Sequence, residues 1–218
     1  MWLTCPPGVY LPQHDTSLLS TALAAAGIRP GARVLDIGCG TGALSIAAAR
    51  THPSSITAVD VSRRAVWAAR LNTLVRGIRA NVLRGDVFER VAGRMFDLIL
   101  ANPPYVPGTA RKPHGRHRAW DAGVDGRELV DRLCANAPLL LTPRGTLLVV
   151  HSGLCDTEKT LRQLRGGGLK AAVVARAEVP FGPVMHGRRR ELLALGLIDP
   201  DQRSEELVVI RGDLPATP

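Results

Sequence analysis

Aromatic residues are scarce in this chain, 4% of 218 positions, so its core has to be packed from Ala, Leu and Val rather than from rings. Cysteine is also sparse. Cys5, Cys39, Cys134 and Cys155 include no Cys-x-x-Cys pair, which leaves zinc-ribbon and dithiol-redox readings without support and favours reduced thiols. No apolar run approaches the roughly 18 residues of a bilayer-spanning helix. The opening Met1-Trp2-Leu3-Thr4-Cys5-Pro6-Pro7 has neither the cationic nor the long apolar region of a signal peptide, so the expectation is a cytoplasmic chain. Acidic residues are in deficit, 19 against 28 Lys and Arg. The resulting formal charge of +9 favours anionic partners such as RNA, the ribosome or an acidic protein. There is no internal repeat.

What the chain does have is a succession of apolar runs and helix-spaced stripes. Its 45% apolar content suffices for a core, and its length fits one domain with at most a small appendage. At the centre of the pattern stands Asn102-Pro103-Pro104-Tyr105, directly after Phe96-Asp97-Leu98-Ile99-Leu100-Ala101. The apolar run reads as a buried parallel strand, and ligands of open α/β sheets sit beyond the carboxyl ends of such strands. The Asn102 side-chain oxygen and the Pro103 carbonyl, held by proline-restricted φ, can together accept both hydrogens of a planar NH2 group. Tyr105 can stack on that group. Asn and Pro are equally ordinary in turns, so the tetrapeptide alone leaves a plain turn open.

Upstream, residues 8–16 read as a loop into a helix with Asp15 as its N-cap. Leu18, Leu19, Ala22, Leu23 and Ala26 form the apolar stripe of that helix and Gly27 closes it. Beyond capping, Asp15 and Thr16 would lie over a bound cofactor or substrate. A buried strand, residues 32–37, then leads into Gly38-Cys39-Gly40-Thr41-Gly42 and a helix from 43 to about 50. Glycines at 38, 40 and 42 let backbone approach a ligand closely. The spacing is not the Gly-x-Gly-x-x-Gly of dinucleotide binders, and no Gly-Lys-Ser/Thr follows to make a phosphate loop. Asp36 at the strand end suits a cationic ammonium. Together these features suit S-adenosylmethionine, which carries an ammonium and a carboxylate but no phosphate. The second strand, 55–60, ends in Asp60 with Val61 beside it, where a carboxylate can accept from both ribose hydroxyls. A helix follows, with Ala65, Val66, Ala69 and Leu74 on its buried side. After a third strand, 80–84, Asp86 is placed to accept from an adenine amine, with Val87 and Phe88 against the ring. A surface turn is the alternative for Asp86.

Downstream, residues 109–118 form the most cationic stretch, with Pro and Gly and no apolar period. They make a loop that either grips an anionic partner or is merely solvated. Asp125 and Glu128 approximate a capping box for a helix through Leu129, Val130, Leu133 and Ala137. A fifth strand covers 146–150, and His151 at its end is a structural histidine. A short helix, 157–165, precedes two β-rich segments, 169–179 and 191–198, joined through a long loop as an antiparallel hairpin. The organisation expected is a covering segment over residues 1–30, an α/β domain over 31–200 and a polar tail over 201–218. Within that tail, Leu207-Val208-Val209-Ile210 either forms a short strand or docks elsewhere.

With the glycine turn, Asp60, Asp86 and Asn102-Pro103-Pro104-Tyr105 in this order, the chain resembles class I S-adenosylmethionine-dependent methyltransferases. More closely it is similar to the HemK family, whose members methylate the glutamine side-chain amide in the Gly-Gly-Gln tripeptide of release factors. The nearest type is the short archaeal and eukaryotic one. Its opening looks like Tyr10-Leu11-Pro12-Gln13-His14-Asp15-Thr16, and Trp120, Gly123, Gly126-Arg127-Glu128 and Asp131-Arg132 also resemble it. The resemblance implies a Rossmann-like seven-stranded sheet, mostly parallel with a final antiparallel hairpin. It implies S-adenosylmethionine as cofactor, Asn102, Pro103 and Tyr105 as catalytic residues, and a protein substrate. Eukaryotic relatives also use a small activator subunit. Because Asn-Pro-Pro-Tyr is shared with adenine methyltransferases, an adenine in RNA or DNA is the alternative acceptor, and a small metabolite a further one.

Overall fold

The computed structural model describes residues 2–107, 122–123 and 125–216; the cationic loop 109–118 and Trp120 lie outside them. Seven strands are present: β1 (Arg33–Ile37), β2 (Ser55–Asp60), β3 (Ala80–Arg84), β4 (Phe96–Ala101), β5 (Leu141–Ser152), β6 (Lys170–Pro180) and β7 (Ser204–Asp213). They make one sheet in the order β3-β2-β1-β4-β5-β7-β6. Neighbours from β3 through β5 run parallel, while β7 is antiparallel to both β5 and β6. This is the Rossmann-like sheet with a final antiparallel hairpin that the sequence led us to expect.

Both faces of the sheet are covered, which is why its central strands are mostly apolar and do not alternate with polar residues. Alternate residues serve two cores. Leu35, Ile37, Ile99 and Ala101 pack with Val130, Leu133 and Ala137 of α5 (Glu128–Leu140) and with Leu161 and Leu164 of α6 (Thr157–Gly166). On the other face Val34, Leu98, Leu100 and Leu148 pack with Leu19 and Leu23 of α1 (His14–Ala25) and Leu44 of α2 (Ala43–Ala48). The remaining α-helices among the described residues are α3 (Arg63–Leu74), α4 (Val87–Arg90), α7 (Pro183–Gly187) and α8 (Arg189–Ala194). No helix among the described residues is long and apolar enough to cross a membrane.

Several sequence expectations are corrected. The second arm of the hairpin is β7, not residues 191–198. Short apolar runs do not distinguish strand from helix by period, and here 191–198 falls partly in α8, with Leu192 buried. Gly182-Pro183 opens α7, proline being well suited to the first helical turn. The segment read as a tail therefore supplies an inner strand, and Leu207, Val208, Val209 and Ile210 are all buried between β5 and β6. β5 begins at Leu141 rather than at 146 and continues through Pro143-Arg144-Gly145, where Arg144 has φ 66°. Leu74 is exposed at the end of α3, whose buried side carries Asn72 and Thr73 instead. There is no capping box at α5. Its N-cap is Arg127, and Asp125 accepts from the Arg127 amide at 3.1 Å.

Candidate active site

At the switch point between β1 and β4, where the strand order reverses, a cavity of about 1090 Å³ opens at the carboxyl ends of the strands. Its walls run from the glycine turn and Asp60 through Asp86 and Val87 to Asn102, Pro103 and Tyr105. The glycine turn is built from the backbone outward. Gly38, Gly40 and Gly42 all have positive φ. The Gly40 amide donates to Asp60 Oδ2 at 2.9 Å, and the Ser62 amide donates to Asp60 Oδ1 at 2.8 Å. Burial raises the Asp60 pKa, and the amides of Ser62, Gly40 and Val61 oppose that shift by solvating its charge. Asp60 thus ties the tip of β2 to the glycine turn while lining the cavity, with Val61 half exposed beside it.

Three of the sequence-derived residues take other positions. Gly42 does not line the cavity. It has φ 81°, and a Cβ there would approach the Ala69 Cα to 3.2 Å, so this glycine permits close packing of the turn on α3. Asp36 is wholly buried behind the turn, where Oδ2 accepts from the Ser45 amide at 2.9 Å and the Ser45 hydroxyl at 2.6 Å. Its Oδ1 has no partner, and burial pushes its pKa up to about 6 against the two Ser45 bonds. Asp15 is not an N-cap, because α1 begins at His14 with Gln13 in the capping position. Asp86 does line the cavity, but it also caps α4 by accepting from the Phe88 amide at 3.0 Å and pairs with Arg132 at 2.8 Å. Phe88 lies outside the cavity wall, with the Arg132 guanidinium stacked 4.7 Å from its ring centre.

The acceptor end is tied together by side chains far apart in sequence. Asn102 Nδ2 donates to Thr16 Oγ1 at 3.1 Å. The Tyr105 hydroxyl donates to Asp15 Oδ2 at 3.1 Å, and the Tyr10 hydroxyl donates to the same oxygen at 2.7 Å. Burial, with the Asp15 charge next, raises the pKa of both phenols, so each stays a donor. Cys155 Sγ donates to the Tyr105 carbonyl at 2.9 Å; burial pushes this thiol up to about 12, which keeps it protonated and unreactive. Gly126 packs directly under Tyr105, and a Cβ there would also come within 2.9 Å of Cys155 Sγ. Sequence reasoning missed Phe181, Met185 and Glu205 and met Arg132 only as part of the family resemblance; all four line the cavity. The segment after β6, expected as a hairpin loop, instead supplies residues 181–185 to the cavity wall.

His151 is structural, as expected. It is fully buried, and Nδ1 lies 2.8 Å from the Ser152 carbonyl, which assigns the proton to Nδ1 and leaves Nε2 without a partner. Burial holds its pKa down to about 4 from 6.5. The stability that rests on neutral His151 is therefore full above pH 6.5 and lost as pH falls toward 4. Asp36, raised to about 6, works in the opposite sense, losing stability as pH rises from 3.8 through 6. The excess stability of wild type over His151→Asn should shrink by roughly 3 kcal/mol between pH 7 and pH 4. Melting curves of the two proteins at several pH values check this, and a constant difference would contradict it.

A cavity that joins a glycine turn, a strand-end carboxylate and Asn102-Pro103-Pro104-Tyr105 at the switch point of a seven-stranded sheet has the layout of a group-transfer enzyme with a nucleoside-bearing donor. The family model described as "Methyltransferase small domain" matches residues 6–176. The chain belongs to this methyltransferase family, and its cofactor is S-adenosylmethionine. It is 35% identical over 181 residues to "Putative protein N5-glutamine methyltransferase MJ0928" of Methanocaldococcus jannaschii, covering 82% of this chain and 90% of that one. It is 36% identical to the "Release factor glutamine methyltransferase" of Geobacter sulfurreducens, covering 84% of this chain and 66% of the relative. Among solved structures, the E. cuniculi Mtq2-Trm112 complex, described as responsible for methylation of the eRF1 translation termination factor, matches with a TM-score of 0.68. It is 23% identical and covers 95% of this chain and 99% of that one. The T. thermophilus 16S rRNA N2 G1207 methyltransferase shares the fold with a TM-score of 0.63 at 20% identity, over 97% of this chain and 47% of that one.

Proposed function

We propose that the chain methylates the side-chain amide nitrogen of a glutamine in a protein, with a translation release factor as the substrate. The observation that carries this is the position of Asn102 and Pro103, at the end of β4, on the wall of one continuous cavity with the glycine turn and Asp60. The names of the Methanocaldococcus and Geobacter relatives support the acceptor and the substrate class.

The donor end fits the cofactor. Asp60 faces the cavity with Oδ2 held by the Gly40 amide and Oδ1 by the Ser62 amide, and its remaining acceptor capacity would serve the ribose hydroxyls. The adenine would lie along Val61, Asp86 and Val87, and the methionyl part along Gly38 and Gly40. The orphaned Asp36 Oδ1 stands behind that turn as a buried acceptor. When bound, S-adenosylmethionine supplies an electrophilic methyl on sulfur.

The chain's own residues have to make an amide nitrogen nucleophilic, although its lone pair is delocalised into the carbonyl. The Asn102 oxygen and the Pro103 carbonyl accept the two NH2 hydrogens, aim the nitrogen along the cavity and favour the geometry in which its lone pair is localised. That interaction strengthens toward the transition state, so it raises turnover rather than affinity. Tyr105 flanks the plane of the amide. The proton can leave after transfer, so no strong base is required beforehand.

Residues 7–10 and 12–16 line the cavity, which supports the N-terminal segment as a cover over the site. An activator subunit has support in Trp67, Leu74 and Val75, apolar side chains exposed at α3, which packs on the edge strand β3. Action on a release factor would place the enzyme in the cytoplasm.

The test is incubation with methyl-labelled cofactor and cell lysate, followed by separate protease and nuclease digestion. Label released only by protease and recovered as N5-methylglutamine is the expected result. Label released by nuclease would instead establish the adenine reading. In the purified protein, Asp60→Ala should weaken cofactor binding by calorimetry by about 10–100-fold, the scale of one or two hydrogen bonds to a charged group. Turnover at saturating cofactor should change little, and unaltered affinity would refute the role given to Asp60.

A further inference from the structure

Asn102 can accept the substrate's NH2 only if its own amide is turned with the oxygen, not the NH2, toward the cavity. The two orientations occupy nearly the same volume, so packing alone does not select one. Hydrogen-bond parity does. Asn102 Nδ2 lies 3.1 Å from Thr16 Oγ1. The Thr16 hydroxyl has one proton, and it is donated to Asp15 Oδ1 at 3.1 Å. Asp15 as a carboxylate only accepts, and it takes four donors. These are the Thr16 amide at 2.5 Å and the Thr16 hydroxyl on Oδ1, and the Tyr10 and Tyr105 phenols on Oδ2. With its proton committed, Thr16 Oγ1 has only lone pairs to offer Asn102. An Asn102 oxygen facing it would set acceptor against acceptor.

We infer that Asp15, acting through Thr16, is a positioning residue that fixes the orientation of the Asn102 amide and so presents its oxygen to the substrate. Two further observations bear on this. Asp15 and Thr16 are 2% and 7% exposed, so water does not compete for these bonds. Each carboxylate oxygen has about two acceptor directions, and all four are filled, which leaves Asp15 no capacity for a cofactor hydrogen bond. The same carboxylate holds Tyr105, so both ends of the tetrapeptide hang on the first turn of α1. Asp15 and Thr16, expected as cofactor contacts, both line the cavity, and their described side-chain bonds run to each other and to Tyr10, Asn102 and Tyr105.

The inference rests on the reading of Asn102 as substrate acceptor, and its test separates the two. Thr16→Val removes the acceptor and should lower kcat by about 10–100-fold, comparable to loss of part of a preorganised polar site, with the cofactor Kd unchanged. Thr16→Ser restores it. Asp15→Asn can donate to Thr16 Oγ1, free the hydroxyl proton and allow Asn102 to turn over, so it should lose kcat to a similar degree. Combined with Asn102→Ala, it should cost less than about twofold more, because the two act as one unit. A second readout needs no substrate. The side-chain NH2 resonances of Asn102, identified by their absence in Asn102→Ala, should exchange slowly in wild type and Thr16→Ser and fast in Thr16→Val. If Thr16→Val and Asp15→Asn weaken cofactor binding and leave kcat intact, they are cofactor contacts and the inference is overturned. Additive losses, or no rescue by serine, overturn it too. If the exchange pattern holds while wild type methylates no glutamine, the orienting relay stands and the substrate reading alone has failed.

Discussion

Asn102→Ala is expected to bind S-adenosylmethionine as wild type does and to transfer its methyl at least about 10²–10³-fold more slowly, the loss typical of one preorganised polar group in a reaction centre. The asymmetry follows from where Asn102 sits. The donor end of the cavity is built by the glycine turn and by Asp60, which are joined to each other through Gly40 and not through Asn102. Asn102 is joined instead to Thr16 on α1, at the acceptor end. Truncating it removes the oxygen to which the proposed mechanism gives the localising of the substrate's lone pair, and leaves Thr16 Oγ1 without its donor. Neither change reaches the ribose end. Single-turnover kinetics at saturating cofactor, paired with calorimetry, separate the two ends. Near-normal turnover in this variant would mean that nitrogen activation lies elsewhere.

The largest expected loss of stability comes from a residue with no part in the chemistry. Arg127→Met should destabilise the protein by about 3–5 kcal/mol, lowering Tm by roughly 6–20 °C for a chain of this size. Arg127 is 2% exposed, and its guanidinium is fully used. It pairs with Asp131 at 2.7 Å and donates to the Cys155 carbonyl, the Asp156 carbonyl at 3.0 Å, Thr160 Oγ1 at 3.0 Å and Gln163 Oε1 at 2.9 Å. Asp131 keeps a second partner in Lys159 at 3.0 Å, so the loss does not come from a stranded carboxylate. It comes from the Cys155 carbonyl before α6, which no other side chain reaches among the bonds described; the Asp156 carbonyl keeps the Thr160 hydroxyl at 3.5 Å and the Thr160 amide at 3.2 Å. Because those acceptors are arranged around a planar fork, Arg127→Lys should recover little of the loss. Thermal melts of both variants beside Arg132→Ala, whose side chain is half exposed, provide the comparison. An Arg127→Met loss no larger than that of Arg132→Ala would show that the α5–α6 junction does not depend on this cation.

The parallel half of the sheet was legible because its signals are local. β1, β2 and β4 are short, mostly apolar runs, and β1 to β3 end in residues that line the cavity. Asn102 and Asp60 were legible as cavity residues for the same reason: each stands at the carboxyl end of a parallel strand, where the cavity opens. Gly42 and Asp36 were misplaced because their partners, Ala69 on α3 and Ser45 on α2, are set by packing rather than by spacing. The hairpin was misassigned for a related reason. A six- to eight-residue apolar run satisfies a strand and a buried helix turn equally, and only competition for the one open place beside β5 decides between 191–198 and 204–213.

By itself the sequence determined the α/β class, the methyltransferase resemblance, the cofactor and the tetrapeptide that lines the cavity at the end of β4. These are written in contiguous residues whose backbone preferences and chemistry act where they stand. The tertiary structure alone decided which way the Asn102 amide faces, which carboxylates are exposed to the cavity and which are spent on the protein itself. Those properties depend on donors and acceptors brought together from α1, the glycine turn, β4 and the α5–α6 junction, and a hydrogen bond between residues 86 positions apart leaves no mark on either residue's neighbours in the chain.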